Sequence, residues 1–203
     1  SFSFDCMKEL GVACEILPSL PCTFDNMSAT LLGDTLYVLG GYRNGIPSCS
    51  MFSFCLSNYS GGWTEVFFPG KPRVQPVCAS LFGNLYIWGG FIPGKESSVL
   101  TDGLCYQPAS GQWQVLRAPL TTEGQPLTLT GGASVSYGDT LVICAGGVNR
   151  DIFEDAISGR YKKVCESEYL LQPVEWYHFN DQLLAYDVRL GEWIRIGTCL
   201  LYT

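Results

Sequence analysis

The chain has 203 residues, of which 47% are hydrophobic and 15% charged, with a net charge of −7. That balance excludes a disordered chain and a generic nucleic-acid-binding surface, and no apolar run reaches membrane-spanning length. Ten cysteines suggest a disulfide framework, but there is no Cys-x-x-Cys pair and a single histidine leaves little for a zinc site.

From the N-terminus, FSFDCMKELGVACEILPSL reads as two strands, and a longer phrase then follows three times. The copies are SATLLGDTLYVLGG (28–41), CASLFGNLYIWGG (78–90) and ASVSYGDTLVICAGG (133–147). Each is an apolar strand, a turn, a second apolar strand and a Gly-Gly, and each is followed by a tryptophan that opens a further strand: Trp63, Trp113 and Trp193. The pairs Gly33-Asp34, Gly83-Asn84 and Gly138-Asp139 read as two-residue hairpin turns, in which glycine supplies positive φ. Third strands read SMFSFCLS, VLTDGLCYQ and QLLAYDV, and fourth strands WTEVFF, WQVLRAPL and WIRIG. A strand-only repeat with a period of about 50 residues is the kelch pattern, one four-stranded propeller blade per repeat. Cys55, Cys78, Cys105 and Cys144 fall where the strands need an alternating apolar residue, so they read as reduced, packed side chains.

The expected architecture is therefore an all-β, partial kelch β-propeller of about three and a half blades. Residues 1–22 form a half blade (its third and fourth strands), 23–71, 72–121 and 122–197 form whole blades, and 198–203 form a linker to a missing blade. The array reads as part of a larger ring, with remaining blades or self-association covering its open strand edges.

In the third blade the stretch from Gly147 to Trp193 is about twice as long as its counterparts. The excess, about 148–182, is rich in aromatics and includes DIFEDAI, whose apolar spacing predicts a helix capped by Asp151. Such an insertion reads as a wall or lid over the funnel or as a partner-docking excursion. Loops between second and third strands open on the same rim as linkers between blades. That rim gathers Arg43, Asn44, Arg73, Gln75, Asn149 and Arg150, and the three arginines suit a small carboxylic acid. Glu154, Asp155, Glu175 and His178 are the acid–base side chains at hand in the insertion, and none is assigned a role.

The phrases FPGKPRVQPVCASLFGNLYIWGG and AGGVNRDIFEDA, with the long gap before LLAYDVRLGEW, resemble the sialic-acid mutarotases, also called N-acetylneuraminate epimerases. DNMSATLLGDTLYVLGGYRNG looks most like the cyclically permuted branch of that family. The resemblance implies a six-bladed propeller that interconverts the α and β anomers of N-acetylneuraminate, an isomerase needing neither metal nor nucleotide cofactor. Ring opening and closure needs a base at the anomeric hydroxyl, an acid at the ring oxygen and a cation for the carboxylate. In the family these roles belong to an Asn-Gly-Glu…Arg phrase that nothing in this sequence matches, so the catalytic residues stay unassigned and the chain alone is expected to be inactive. What carries over is a supporting wall: Arg73 and Gln75 from Pro-Arg-x-Gln, and Asn149 with Ile152-Phe153 from the insertion. The resemblance also implies a sugar acid as partner and a periplasmic or envelope location, whereas reduced cysteines point to a reducing, cytoplasmic interior. A non-catalytic kelch module that binds a protein or glycan is the alternative function.

Overall fold

A computed structural model describes residues 16–92, 98–147 and 180–198. The body of the expected half blade (1–15), nearly all of the insertion (148–179) and the final linker (199–203) lie outside the described residues. Three four-stranded antiparallel sheets follow one another along the chain. The first holds Ser28–Leu32, Thr35–Leu39, Met51–Cys55 and Thr64–Val66. The second holds Val77–Leu81, Asn84–Trp88, Gly103–Gln107 and Gln112–Leu116. The third holds Ala133–Tyr137, Leu141–Ala145, Gln182–Asp187 and Glu192–Thr198. In every sheet the spatial order equals the chain order, the simple meander of a propeller blade. The fold is a partial kelch β-propeller.

The first strands of the blades lie side by side and form the inner wall. Ser134 Oγ donates to the Cys78 carbonyl at 2.7 Å, Ser136 Oγ to the Ser80 carbonyl, and Ser80 Oγ to the Leu31 carbonyl. Each bond joins matching positions of neighbouring inner strands, so the blades are in radial register. At the perimeter the repeated tryptophan works as a latch. Trp63 Nε1 donates to the Pro18 carbonyl (2.8 Å), Trp113 to Phe67 (3.1 Å) and Trp193 to Arg117 (2.9 Å), in each case reaching a segment that precedes its own blade. The tryptophan is thus an interblade tie, and its indole N–H needs such a partner when its ring is packed.

Between blades lie two apolar layers. Leu39, Met51, Leu85, Ile87 and Leu104 fill the first interface, and Trp88, Leu129, Val142, Leu184 and Tyr186 fill the second. The expected reading of the cysteines holds for three of the four: Cys78, Cys105 and Cys144 are buried, reduced members of these layers, whereas Cys55 is free but only half-buried, with its sulfur against Asp34 and Ser57. Burial pushes the thiols of Cys78, Cys105 and Cys144 up to about 12, 11 and 12 respectively. The Gly-Gly pairs end second strands where linkers cross. A Cβ on Gly40 would sit 2.6 Å from the Arg73 carbonyl oxygen, and one on Gly90 2.9 Å from that of Val74. No side chain fits there.

One expected turn moves. In the second blade Leu81 pairs with Asn84, so the turn residues are Phe82 and Gly83, with φ of 52° and 77°. Both central positions are left-handed, as a primed turn demands, and Asn84 belongs to the strand. The third turn also differs, because Tyr137 pairs with Leu141 and leaves three residues between the strands.

Candidate functional site at the axial rim

Linkers enter the inner strands at one end of the wall, and there the three blades repeat a local structure. Asn26, Gln75 and Gly131 each stand two residues before an inner strand, with φ of 51°, 52° and 69°. The Gln75 N–H donates to the Asn26 carbonyl (3.0 Å), and the Gly131 N–H to the Gln75 carbonyl (3.0 Å). A chain of backbone bonds therefore runs from blade to blade around the rim. Gln75 Nε2 also donates to Asn26 Oδ1 at 3.1 Å, coupling the two side-chain amides. All three residues are exposed.

Gln75 is braced from both sides. Arg73, Val74, Pro76 and Val77 are buried, and Val74 exchanges backbone bonds with Phe91 at 2.8 and 3.0 Å. The left-handed turn at Gln75 is what lifts this one side chain out of a buried run. Strained, exposed positions held by rigid neighbours are where binding groups collect.

The sequence placed six residues on this rim, and their settings differ. Arg73 is a buried brace, its side chain 0% exposed. Nη2 and Nη1 fork onto Asp102 at 2.8 and 3.2 Å, Nη1 also reaches the Gly89 carbonyl (3.0 Å), and Nε reaches the Lys71 carbonyl (3.2 Å). The guanidinium lies 5.2 Å from the centre of the Phe68 ring, so its donors and its face are engaged within the protein. Arg43 lies about 6 Å from the centres of the Phe24 and Phe52 rings, and its Nη1 approaches Ser50 Oγ (3.0 Å) and Glu65 (3.4 Å) on the outer strand. The two guanidiniums share no hydrogen-bond partner. Asn44 (φ 52°) is exposed, and its Oδ1 accepts from Thr23 Oγ1 at 2.8 Å. Asn149 and Arg150 lie outside the described residues. Asn26 belongs to the linkers that the sequence places on this rim, though not to its six named candidates, and it aligns with Gln75 and Gly131 at the same offset from the inner strand.

A second concavity, a groove of about 580 Å³, opens between the outer parts of the second and third blades and is lined in part by Arg117, Thr121, Trp193 and Arg195. Its charge is balanced locally: Arg117 lies 3.9 Å from Glu192, and Glu123 is held below the usual carboxylate range by Thr122 and Thr121, with Arg195 contributing. The axial rim is the stronger candidate. Beside charged neighbours such as Asp25 and Arg43, it presents the coupled side-chain amides of Asn26 and Gln75, groups chemically suited to hydroxyls. Among the described residues no group of three or more His, Cys, Asp or Glu is placed to hold a metal ion.

Repeated meanders latched around an axis define the chain as a kelch propeller protein. The family model for N-acetylneuraminate epimerase matches residues 17–201, and the chain belongs to that family. An N-acetylneuraminate epimerase of Haemophilus influenzae (strain 86-028NP) is 31% identical over 191 residues, which cover 89% of this chain and 48% of the relative. One of Yersinia enterocolitica is 30% identical over 194 residues, covering 88% of this chain and 47% of the relative. The solved structure titled "Structure of YjhT" superposes with a TM-score of 0.71 at 26% identity, covering 92% of this chain and 55% of that one. The chain spans about half the length of the curated relatives it matches.

Proposed function

We propose that this chain forms part of an enzyme that interconverts the α and β anomers of N-acetylneuraminate, and that it contributes a binding wall at the axial rim. The family match over residues 17–201 carries the reading. The exposed, braced amides of Asn26 and Gln75 support it as groups suited to a polyhydroxylated sugar. Gln75 is assigned to ligand contact, with Asn44, Asn149 and Arg150 as further rim contacts. Arg73 holds the Gln75 linker in place without touching ligand, and Arg43 ties the rim to the outer strand of its blade. No described residue is assigned as acid or base.

One observation favours a second reading. Because the coupled, exposed amides of Asn26 and Gln75 are hydroxyl-binding groups, the chain by itself also suits a glycan-binding kelch module without chemistry. Proton NMR of freshly released N-acetylneuraminate separates the two readings. The longer protein containing this chain is expected to speed anomer equilibration, and the chain alone to leave it at the uncatalysed rate. No acceleration by the longer protein removes the mutarotase reading. Acceleration by the chain alone shows that the acid and base lie within it.

A further inference from the structure

Gly131 reveals what the fold requires at the three repeated rim positions. It meets the backbone demands there, a left-handed φ and a bond to the preceding blade, without a side chain. Glycine adopts that conformation freely and Asn tolerates it, whereas Gln is disfavoured in it. The first two blades nevertheless carry amides at this position, both exposed and neither packed into a core. Gly131 shows that the backbone bond alone does not require them.

The Gln75 Nε2 to Asn26 Oδ1 bond fixes how both amides are presented. It uses one donor of Gln75 and one acceptor of Asn26. Asn26 Nδ2 remains as a donor and Gln75 Oε1 as an acceptor, and among the described residues neither has a partner. We infer that Asn26 and Gln75 form one recognition element for a vicinal diol: Asn26 Nδ2 donates to one hydroxyl and Gln75 Oε1 accepts from its neighbour. Two adjacent hydroxyls match an adjacent donor and acceptor, since each hydroxyl plays either part. A carboxylate, which only accepts, leaves the Gln75 oxygen unmatched. The inference rests on the proposed sugar ligand and deepens it. In N-acetylneuraminate vicinal hydroxyls occur only on the exocyclic chain, so this pair reads that chain and leaves the carboxylate to other groups.

The test uses the longer protein that contains this chain, its Asn26→Gly and Gln75→Gly variants, and three probes followed by titration calorimetry. The probes are the methyl glycoside of N-acetylneuraminate, the same glycoside shortened by mild periodate and borohydride so that the diol is gone, and methyl galactoside. Glycine suits the backbone at both positions, so thermal unfolding of the variants should match the parent. The parent is expected to bind the intact glycoside about tenfold more tightly than the shortened one, as loss of a hydrogen-bonded pair requires. Each variant should lower intact-glycoside affinity to the shortened level and leave the shortened glycoside unaffected. Equal weakening of both glycosides by the variants, or no weakening, overturns the inference. If the parent binds neither acidic glycoside, the sialic-acid reading fails, and methyl galactoside decides the diol element alone. Galactoside binding lost in both variants sustains it; absent or unchanged binding removes it.

Discussion

The two interfaces between blades share a plan and differ at its centre. Both use a tryptophan latch, inner-strand serine bonds and a left-handed residue in the entering linker. Yet where the linker backs onto the preceding Gly-Gly, the first interface buries Arg73 and the second buries Leu129, at 0% and 1% exposure. Arg73 needs Asp102, two backbone carbonyls and the face of Phe68 to be tolerated there. Leu129 needs only apolar neighbours, while the adjoining Thr128 and Thr130 satisfy each other and the Leu100 carbonyl. An ion pair and an aliphatic side chain thus solve the same packing problem. The ionic solution is the conditional one, because a buried charge must keep its partner.

The interfaces also differ in thiols: Cys78 packs in the first, Cys105 and Cys144 in the second. Burial raises all three above the ordinary thiol value of 9.0. A raised thiol contributes its stability in full below its unfolded pKa and loses it as pH climbs toward the folded value. Stability should therefore hold to about pH 9 and then fall by about 1.4 kcal/mol per thiol per pH unit. Urea unfolding between pH 8 and 10.5 checks this, with the Cys144→Ala slope shallower than the parent's. A flat parent profile would mean these sulfurs are open to water.

Within the first interface the two halves of the ion pair should behave unequally. Asp102→Ala leaves Arg73 buried without its counter-charge, for a loss of about 3 kcal/mol. Arg73→Leu copies the second interface and leaves Asp102 behind, but that carboxylate is 42% exposed and can hydrate. Its expected cost is about 1–2 kcal/mol, mainly from the uncovered carbonyls of Gly89 and Lys71. Denaturant midpoints of the two variants compare them directly. The reverse order would make the arginine's packing more important than its charge.

These contrasts mark where the sequence was legible. The repeat length, the Gly-Gly pairs and the tryptophans are local, periodic signals, and each names a backbone or packing need that recurs in every blade. The burial of Arg73 was not legible. Pro-Arg-x-Gln reads like any charged linker, and the partner that draws the arginine inward, Asp102, stands in a different strand connection. The kinship of Asn26, Gln75 and Gly131 was visible in spacing alone, but its meaning needed the sign of φ, which three different residue types conceal.

A smaller effect is expected at Thr128, the second interface's substitute for the ionic network. Thr128→Val keeps shape but removes the hydroxyl that reaches the Leu100 carbonyl at 2.8 Å and the Thr130 hydroxyl at 2.6 Å. A loss of about 1 kcal/mol should follow, half or less of the Asp102→Ala penalty. Equal penalties would mean that the two networks bear similar strain.

The smallest effect should come from giving the third blade what the first two already have. Gly131→Asn places an amide at a φ of 69°, which asparagine tolerates better than most residues. Its Cβ would lie 3.3 Å from Gln75 Oε1, so the exposed glutamine must shift by a few tenths of an ångström. The backbone bond to the Gln75 carbonyl is untouched, and the net cost should stay below about 1 kcal/mol. Because the new amide competes for the Gln75 oxygen, diol binding should weaken while the melting temperature barely moves. A large drop in melting temperature would mean the third position is bare for a packing reason, and glycine there would no longer show what the fold alone requires.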